Sequence, residues 1–275
     1  MLFRSSFRRS VLGLDYQGNF RHYGQASYYD GSNQNLNLGY TLQPSRRLLL
    51  DMTEVAGTQT YGVSFGNDSN TLVNSNSLLF DNRTTYGQTG LNATYLLNSK
   101  TAITMSGVGY TVHRKAQQLA GVNGYTLSGS IRRQVARQTS VGVAYQHMQY
   151  DYSRSFGEAD INSYTALISQ NIGRSWRVEV SAGVYSSAVQ GTQTSAVDPV
   201  IAALLGVSSV QTIFYRENLL PTGTVSIVKK LRSSSFSANA TRTVNNGNGL
   251  YLASQTESYG GSYSYTGRRR WSRSE

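Results

Sequence analysis

The stretch 168–185, ISQNIGRSWRVEVSAGVY, contains two segments of alternating side chains joined by a turn. In its second half, apolar side chains from Trp176 to Val184 alternate with polar or small ones from Arg177 to Gly183. Period two is typical of a β-strand, because successive side chains of a strand point to opposite faces. The central Gly-Arg-Ser is a turn signal. The stretch therefore predicts a β-hairpin with one apolar and one polar face.

The same pattern recurs along the chain and predicts about twelve strands. They lie near 12–21, 35–43, 47–56, 90–97, 102–112, 125–132, 139–150, 161–172, 176–184, 222–231, 234–244 and 250–266. Many are close to the roughly 9–11 residues that cross a bilayer at a tilt. Short connections, such as 98–100 and 173–175, alternate with longer ones, such as 57–82 and 188–221. An even count places both termini at the end of the sheet that carries the short turns.

Composition favours an all-β chain over a disordered one. The 275 residues include 20 Tyr, 8 Phe and 27 Gly but only 3 Pro, and 14% are charged. Disordered chains have few aromatic residues and many charges. The chain has no cysteine, so disulfides and thiolate metal sites are excluded. It contains no apolar run of roughly 20 residues and no signal peptide, so we expect a mature or trimmed chain. We predict one domain over 1–275, with an N-terminal tail at 1–9.

Two soluble folds, a β-sandwich and a β-solenoid, are the alternatives. A sandwich also alternates, but one face of each of its sheets forms a packed core. Here the polar face is rich in Gly, Ser, Thr, Asn and Gln, which suits an interior filled with water. A solenoid would show a repeat of roughly 20–50 residues, and the sequence has no such repeat. The pattern therefore favours a barrel.

Repeated strand–turn–strand units carry a resemblance to a known class of proteins. They are LNLGYTLQPSRRLLLDM (36–52), LSGSIRRQVARQTSVGVAYQH (127–147), ISQNIGRSWRVEVSAGVY (168–185) and VSIVKKLRSSSFSANA (225–240). Each resembles a unit of the porin-like β-barrels of the bacterial outer membrane. The resemblance implies an all-β, antiparallel, up-and-down transmembrane barrel with short periplasmic turns and long external loops. It also implies outer-membrane lipid and the barrel-assembly machinery as partners.

The C-terminal residues depart from that pattern. Many such barrels end in an aromatic residue, whereas this sequence ends in WSRSE at 271–275. The preceding GRRRWS, at 267–272, resembles one more periplasmic turn. We therefore expect 267–275 to be either a C-terminal tail or a truncated next turn. In the second case the chain is a piece of a larger barrel.

The formal net charge is +11, and eleven of the 25 basic residues lie at or beside the predicted short turns. The alternation points six charged side chains into the lumen: Arg21, Arg132, Arg177, Asp15, Asp51 and Glu179. Charge on the lipid face costs about 2–4 kcal/mol at mid-depth and much less near the interfaces. The basic residues are therefore either solvated rim charges or a lumen lining that favours anions. Because the charges are spread among turns, nucleic-acid binding is not predicted.

One segment, DPVIAALLG at 198–206, breaks the β pattern and predicts a short helix in the longest external loop. Asp198 suits the N-cap, Pro199 the first helical position and Gly206 the end of the helix. The apolar side chains include Ile201, Leu204 and Leu205. Such a helix either constricts the barrel, lies on the bilayer surface, docks a partner or packs under its own loop.

Chemical motifs are weak. Residues 62–66, GVSFG, match G-x-S-x-G, but no helical pattern follows as the hydrolase elbow requires. His22, His113 and His147 form no metal-ligand spacing and no H-x-S segment, which is how certain outer-membrane phospholipases pair His with Ser. We therefore predict no catalytic residue, metal or cofactor. The predicted function is a narrow passive channel in the outer membrane for small polar, including anionic, solutes. The alternatives are a structural or surface-interaction barrel whose external loops bind a partner or polysaccharide, and a lipid hydrolase that uses Ser64.

Overall fold

A computed structural model describes residues 2–22, 24, 31–59, 83–115, 121–153, 157–197, 204, 206, 209–245, 254–266 and 272–274. They form one antiparallel sheet of fourteen strands in chain order. The strands are β1 (Leu2–Ser6), β2 (Ser10–Arg21), β3 (Gly31–Ser45), β4 (Leu48–Gln59), β5 (Thr84–Asn98), β6 (Thr101–Arg114), β7 (Gly121–Ala136), β8 (Thr139–Ser153), β9 (Gly157–Ile172), β10 (Trp176–Ala196), β11 (Ser209–Lys230), β12 (Ser234–Asn245), β13 (Ser254–Thr266) and β14 (Ser272–Ser274). No helix in these ranges has the length and apolarity to span a membrane.

The antiparallel up-and-down fold is confirmed, and β2 to β13 match the twelve predicted strands. The structure adds two short outermost strands to the predicted count of about twelve. β1 forms within the predicted N-terminal tail 1–9, and β14 lies within 267–275 and pairs with β13. Within the described ranges β1 and β14 do not pair with each other, so both are edge strands. Since Leu2 pairs with Asp15, β1 begins part-way along the sheet and not at the short turns.

The two ends of the sheet differ in their connections, as predicted. At one end, here called the short-turn end, two- or three-residue turns join the strands, for example 99–100 and 173–175. Gly173 lies there with a φ of 62°, a conformation that glycine adopts without steric cost. Register shifts next to these turns interrupt three hairpins, at Leu42/Ser45, Leu96/Asn98 and Gln134/Ala136. The other end is called the long-connection end.

The two faces of the sheet also differ as predicted. On β8, Val141, Val143 and Tyr145 are exposed, while the side chains between them are partly buried. The polar face carries hydroxyl pairs across strands, such as Ser106 Oγ with Ser128 Oγ at 2.7 Å. We call the apolar face the outer face and the polar face the inner face. The inner face is concave, because the Tyr185 hydroxyl on β10 lies 3.3 Å from the side-chain amide of Gln255 on β13.

The predicted long external loop 188–221 is wrong. β10 and β11 continue through most of it and pair from Trp176↔Lys229 to Ala196↔Ser209. We call their paired residues 187–196 and 209–218 the ribbon. Gly, Ser, Thr and Gln are frequent on its β10 side, and on its β11 side the apolar residues Ile213, Phe214 and Tyr215 are consecutive, so no hydropathy alternation marks it in the sequence. Gly223 is the first residue of β11 that pairs with β12. Pro221 precedes it in the chain, so the missing backbone N–H of the proline removes no hydrogen bond between β11 and β12.

The predicted helix at 198–206 falls mostly outside the described residues, including Asp198, Pro199, Ile201 and Leu205. Leu204 has a helical backbone and is 80% exposed. Gly206 has a φ of 68°, as expected for a residue that ends a helix. The helix itself stays a prediction.

Candidate functional site: a charged hollow and a packed cluster on the inner face

A hollow of about 310 Å³ lies at the short-turn end of the inner face, and four basic side chains line it. Arg132 on β7 and Arg177 on β10 reach it from strand positions, while Lys100 and Arg137 reach it from the adjacent turns. We call it the basic hollow. The structure thus brings Arg132 and Arg177 together. It adds Lys100 and Arg137, which the alternation did not assign to the lumen.

The only carboxylate found close to these four is that of Glu179, in the part of the chain that the structure describes. Arg177 donates to it through Nη2 at 2.7 Å and Nε at 3.1 Å. The Ser169 hydroxyl also donates to it, at 3.2 Å. Among described residues, no ion pair includes Lys100, Arg132 or Arg137. The basic hollow therefore keeps a clear excess of positive charge.

The other predicted lumen residues lie elsewhere. Asp51 on β4 accepts hydrogen bonds from Thr41 Oγ1 at 2.8 Å and from Asn92 Nδ2 at 3.4 Å. Asp15 on β2 accepts one from Gln17 Nε2 at 3.0 Å. Arg21 ends β2 at the long-connection end, and its side chain is outside the described part. None of the three lines the basic hollow.

The inner face is apolar towards the long-connection end. Ten buried side chains form what we call the inner cluster: Tyr110, Val112, Val122, Met148, Tyr150, Tyr152, Ala159, Ile161, Tyr185 and Val244. The Tyr110 and Tyr150 ring centroids are 5.8 Å apart. The alternation predicted a polar, water-filled inner face, whereas this part of it is apolar. The cluster narrows the interior at this end.

Two tyrosines of the inner cluster, Tyr150 and Tyr152, lie near the end of β8. Each is only 3% exposed, inside the cluster. The alternation of side chains along β8 is the sequence feature that locates these two tyrosines. Val143 and Tyr145 hold odd, outward positions, so Met148, Tyr150 and Tyr152 fall on even, inward ones.

A second hollow, of about 380 Å³, lies between the inner cluster and strands β11 to β13. Hydroxyl groups dominate its wall, and Arg242 is its charged residue among those that line it: Gln146, Met148, Ser163, Thr165, Ser181, Tyr185, Thr222, Thr224, Asn239, Thr241, Arg242, Thr243, Val244, Thr256 and Ser258. Arg242 Nε lies 3.4 Å from Glu257 Oε1. The wall of the second hollow is therefore mostly polar, like that of the basic hollow and unlike the inner cluster.

A polar network ends the apolar band of the outer face. Tyr145 Oη donates to Asn162 Oδ1 at 2.7 Å, and Tyr125 Oη donates to Gln149 Oε1 at 2.8 Å. His147 Nδ1 lies 3.6 Å from Asp160 Oδ1. Tyrosines with an apolar ring below and a polar partner above are typical of the aromatic girdle of a membrane barrel. On β10 the apolar outer side chains run from Trp176 to Val184, near the roughly 9–11 residues that a bilayer needs.

Enzyme-like features are not assembled in the described part of the chain. The G-x-S-x-G segment 62–66 lies outside it. Among the residues described, no group of three or more His, Asp or Glu side chains could hold a metal ion. Around His147 the partners are Asn162, Asp160 and Tyr125.

Comparison with known proteins gives no match to a family model and none to a curated protein. Solved structures do match. The ferric-catecholate import receptor Fiu from E. coli K12 aligns in its open form with a TM-score of 0.53 and 11% identity, over 98% of this chain and 60% of that one. Its closed form aligns with a TM-score of 0.51 and 11% identity, over 96% and 53%. The ferric citrate transporter FecA, unliganded, aligns with a TM-score of 0.54 and 11% identity, over 96% and 45%.

The chain has the fold of a bacterial outer-membrane β-barrel. At this identity the likeness is one of architecture. The chain spans about half the length of these structures. The architecture, the outer apolar band and the tyrosine girdle together support the predicted location in the bacterial outer membrane.

Proposed function

We propose that this chain forms part of an outer-membrane barrel that passes small anionic solutes through a narrow interior. The basic hollow carries the proposal, because four cations face one carboxylate on the inner face. Clusters of Arg and Lys at a pore wall attract anions at short range. The structural neighbours are named as an import receptor and a transporter, which supports a transport role in general.

A narrow path follows from the inner cluster. About eight strands leave a barrel interior filled by side chains, and 16–18 strands leave an aqueous channel. The described sheet has fourteen strands and two unpaired edges, so its strand count does not fix the barrel's size and the inner cluster carries the argument for a narrow path. Because the inner cluster occupies the long-connection end, we expect low conductance.

Ion selectivity in planar bilayers tests the proposal. We expect a steady, small conductance whose reversal potential in a KCl gradient shows preference for chloride. The double variant Arg132→Gln/Arg177→Gln should lower the chloride-to-potassium permeability ratio at least several-fold. Its effect exceeds the loss of two charges, because Arg177→Gln also frees the Glu179 carboxylate.

Lys229→Gln is the matched control. Lys229 lies at the same end of the sheet but on the outer face, where its Nζ lies 4.6 Å from the Trp176 ring centroid. Its removal should leave the permeability ratio unchanged. Equal losses in both variants would mean that general surface charge sets selectivity. No conductance at any voltage would contradict the channel.

One observation favours a second function, a surface-interaction barrel. The ribbon extends beyond the outer apolar band and carries the connection 197–208. We propose that it presents this connection to a partner or polysaccharide if the barrel does not conduct. Replacing residues 188–217 by a two-residue turn should then abolish adhesion of cells to polysaccharide without loss of the folded barrel. Under either proposal the chain is not an enzyme, and its partners are outer-membrane lipid and the barrel-assembly machinery, not nucleic acid.

A further inference from the structure

Arg114 is a buried cation at the long-connection end, at the last position of β6. It is 2% exposed. Its Nε is one of two buried side-chain atoms that have no hydrogen-bond partner within the described part of the protein; the other is the Tyr110 hydroxyl on the same strand. The ion pairs found among described residues do not include Arg114.

The residues beside Arg114 are polar but neutral. Arg114 pairs with Thr84 on β5, and Thr84 pairs with Gln59 on β4. Thr84 is 3% exposed and Gln59 is 9% exposed. The three side chains form a buried polar row beside the inner cluster, whose Val112 is two residues from Arg114 on the same face of β6. The described part of this row supplies no negative charge to the guanidinium.

A buried guanidinium without a counter-charge is costly, because burial removes water, and no described side chain supplies the missing charge. Planar guanidinium groups bind carboxylate and phosphate oxygens through parallel N–H donors. We propose that Arg114 is a binding site for the oxyanion group, carboxylate or phosphate, of a small solute. The site lies at the opposite end of the inner face from the basic hollow. It does not require conduction, so it stands or falls separately from the channel.

Anion-dependent thermal stability tests this site. The refolded full chain in detergent is melted at constant ionic strength in chloride, acetate or inorganic phosphate. Binding to the folded state alone raises Tm, on the order of 5 °C at a saturating anion concentration. We expect that rise in phosphate, in acetate or in both, relative to chloride. The anion that produces it identifies the oxyanion class. Equal Tm values in all three salts would mean ordinary screening and would overturn the site.

Arg114→Met removes the charge and keeps an apolar side chain of similar reach. In chloride we expect its Tm to equal or exceed that of the wild type, because an unpaired buried charge is gone. The rise with phosphate or acetate should disappear. Arg114→Lys, which keeps the charge without the planar fork, should weaken anion affinity about tenfold.

Two controls separate this site from other effects. Tyr110→Phe removes the other unpartnered group on the same strand, the Tyr110 hydroxyl, and should keep the anion response. Arg132→Gln alters the basic hollow and should keep most of it. A lower Tm of Arg114→Met in chloride would mean that the protein itself already pairs the guanidinium, and an unchanged response in Arg114→Met would place the anion elsewhere. Either result overturns the proposal, whatever the bilayer recordings show.

Discussion

The two ends of the inner face differ in chemistry although the same strands build both. In the basic hollow the side chains of Arg177 and Glu179 are 57% and 39% exposed, and their ion pair is solvated. In the inner cluster Ile161 is 0% exposed and Val122 is 1% exposed. One end is therefore wet and charged and the other is dry and packed. The comparison shows that facing inwards does not determine what a side chain meets, because its surroundings change along the barrel height.

The dry end gives the largest expected effect. Ile161→Ala should cost about 2–5 kcal/mol of unfolding free energy, because it leaves a cavity in a packed cluster. The control is Ile168→Ala on the same strand, an outward residue that is 45% exposed. It should cost clearly less. Unfolding by urea in detergent measures both. Equal losses would mean that the inner cluster is not packed.

The next prediction compares the faces at the middle of β8. Val143 points outwards between Ile131 and Ala166, whereas Gln146 lines the second hollow. Val143→Arg should cost about 2–4 kcal/mol in a lipid bilayer, since the lipid side does not solvate the charge. Gln146→Arg should cost much less, because water and hydroxyl groups surround it. Folding into lipid vesicles measures both. If Gln146→Arg cost more than Val143→Arg, the assignment of the outer face to lipid and of the inner face to water would be wrong.

A smaller effect is expected between the two ends. Gly183 lies on β10 between Ser181 and Tyr185, where an added Cβ would collide with backbone atoms of Tyr164 and Thr165. Gly183→Ala should cost about 1–3 kcal/mol, because backbone cannot move aside easily. Gly39→Ala is its control, since a Cβ there meets nothing within 4 Å. Thermal unfolding in detergent distinguishes them, and full tolerance of Gly183→Ala would mean that β9 and β10 are further apart there.

The smallest effect belongs to the wet end. Arg177→Gln should lower stability by less than about 1 kcal/mol, because exposed ion pairs contribute little and are screened by salt. The loss should shrink further in 1 M NaCl. The same substitution is one of the two that should lower anion preference. We therefore expect Arg177→Gln to change ion selectivity more than it changes stability. A large loss of stability, insensitive to salt, would make the basic hollow a dry site like the inner cluster.

Most of the strands could be predicted from the sequence, because lipid on one face and water on the other impose alternation. Segments with apolar side chains at every second position, such as 176–184, therefore became strands as expected. β1 and β14 were missed because they are only five and three residues long, which is too short for an alternation of side chains to be recognised. The ribbon was missed because neither of its faces meets hydrocarbon.

The candidate site was only half predictable. The period assigned Arg132 and Arg177 to the inner face, and the structure brings them together. Lys100 and Arg137 come from turns, where no period orients a side chain. Burial of Arg114 depends on how the sheet curves and on what lies beside it, which are long-range properties. The inner cluster was missed because the inward face was expected to be polar, whereas Met148, Tyr150 and Tyr152 hold inward positions on β8.

The ribbon also has a consequence for immunological detection. Each strand residue advances about 3.3 Å, so the ten residues after Ser186 in β10 carry Ala196 roughly 30 Å further along the strand direction. With this end outside, the described tip of the ribbon, where Ala196 pairs with Ser209, stands above the lipid headgroups. An antibody raised against that tip should label intact cells, whereas one against the 173–175 turn should label only permeabilised ones.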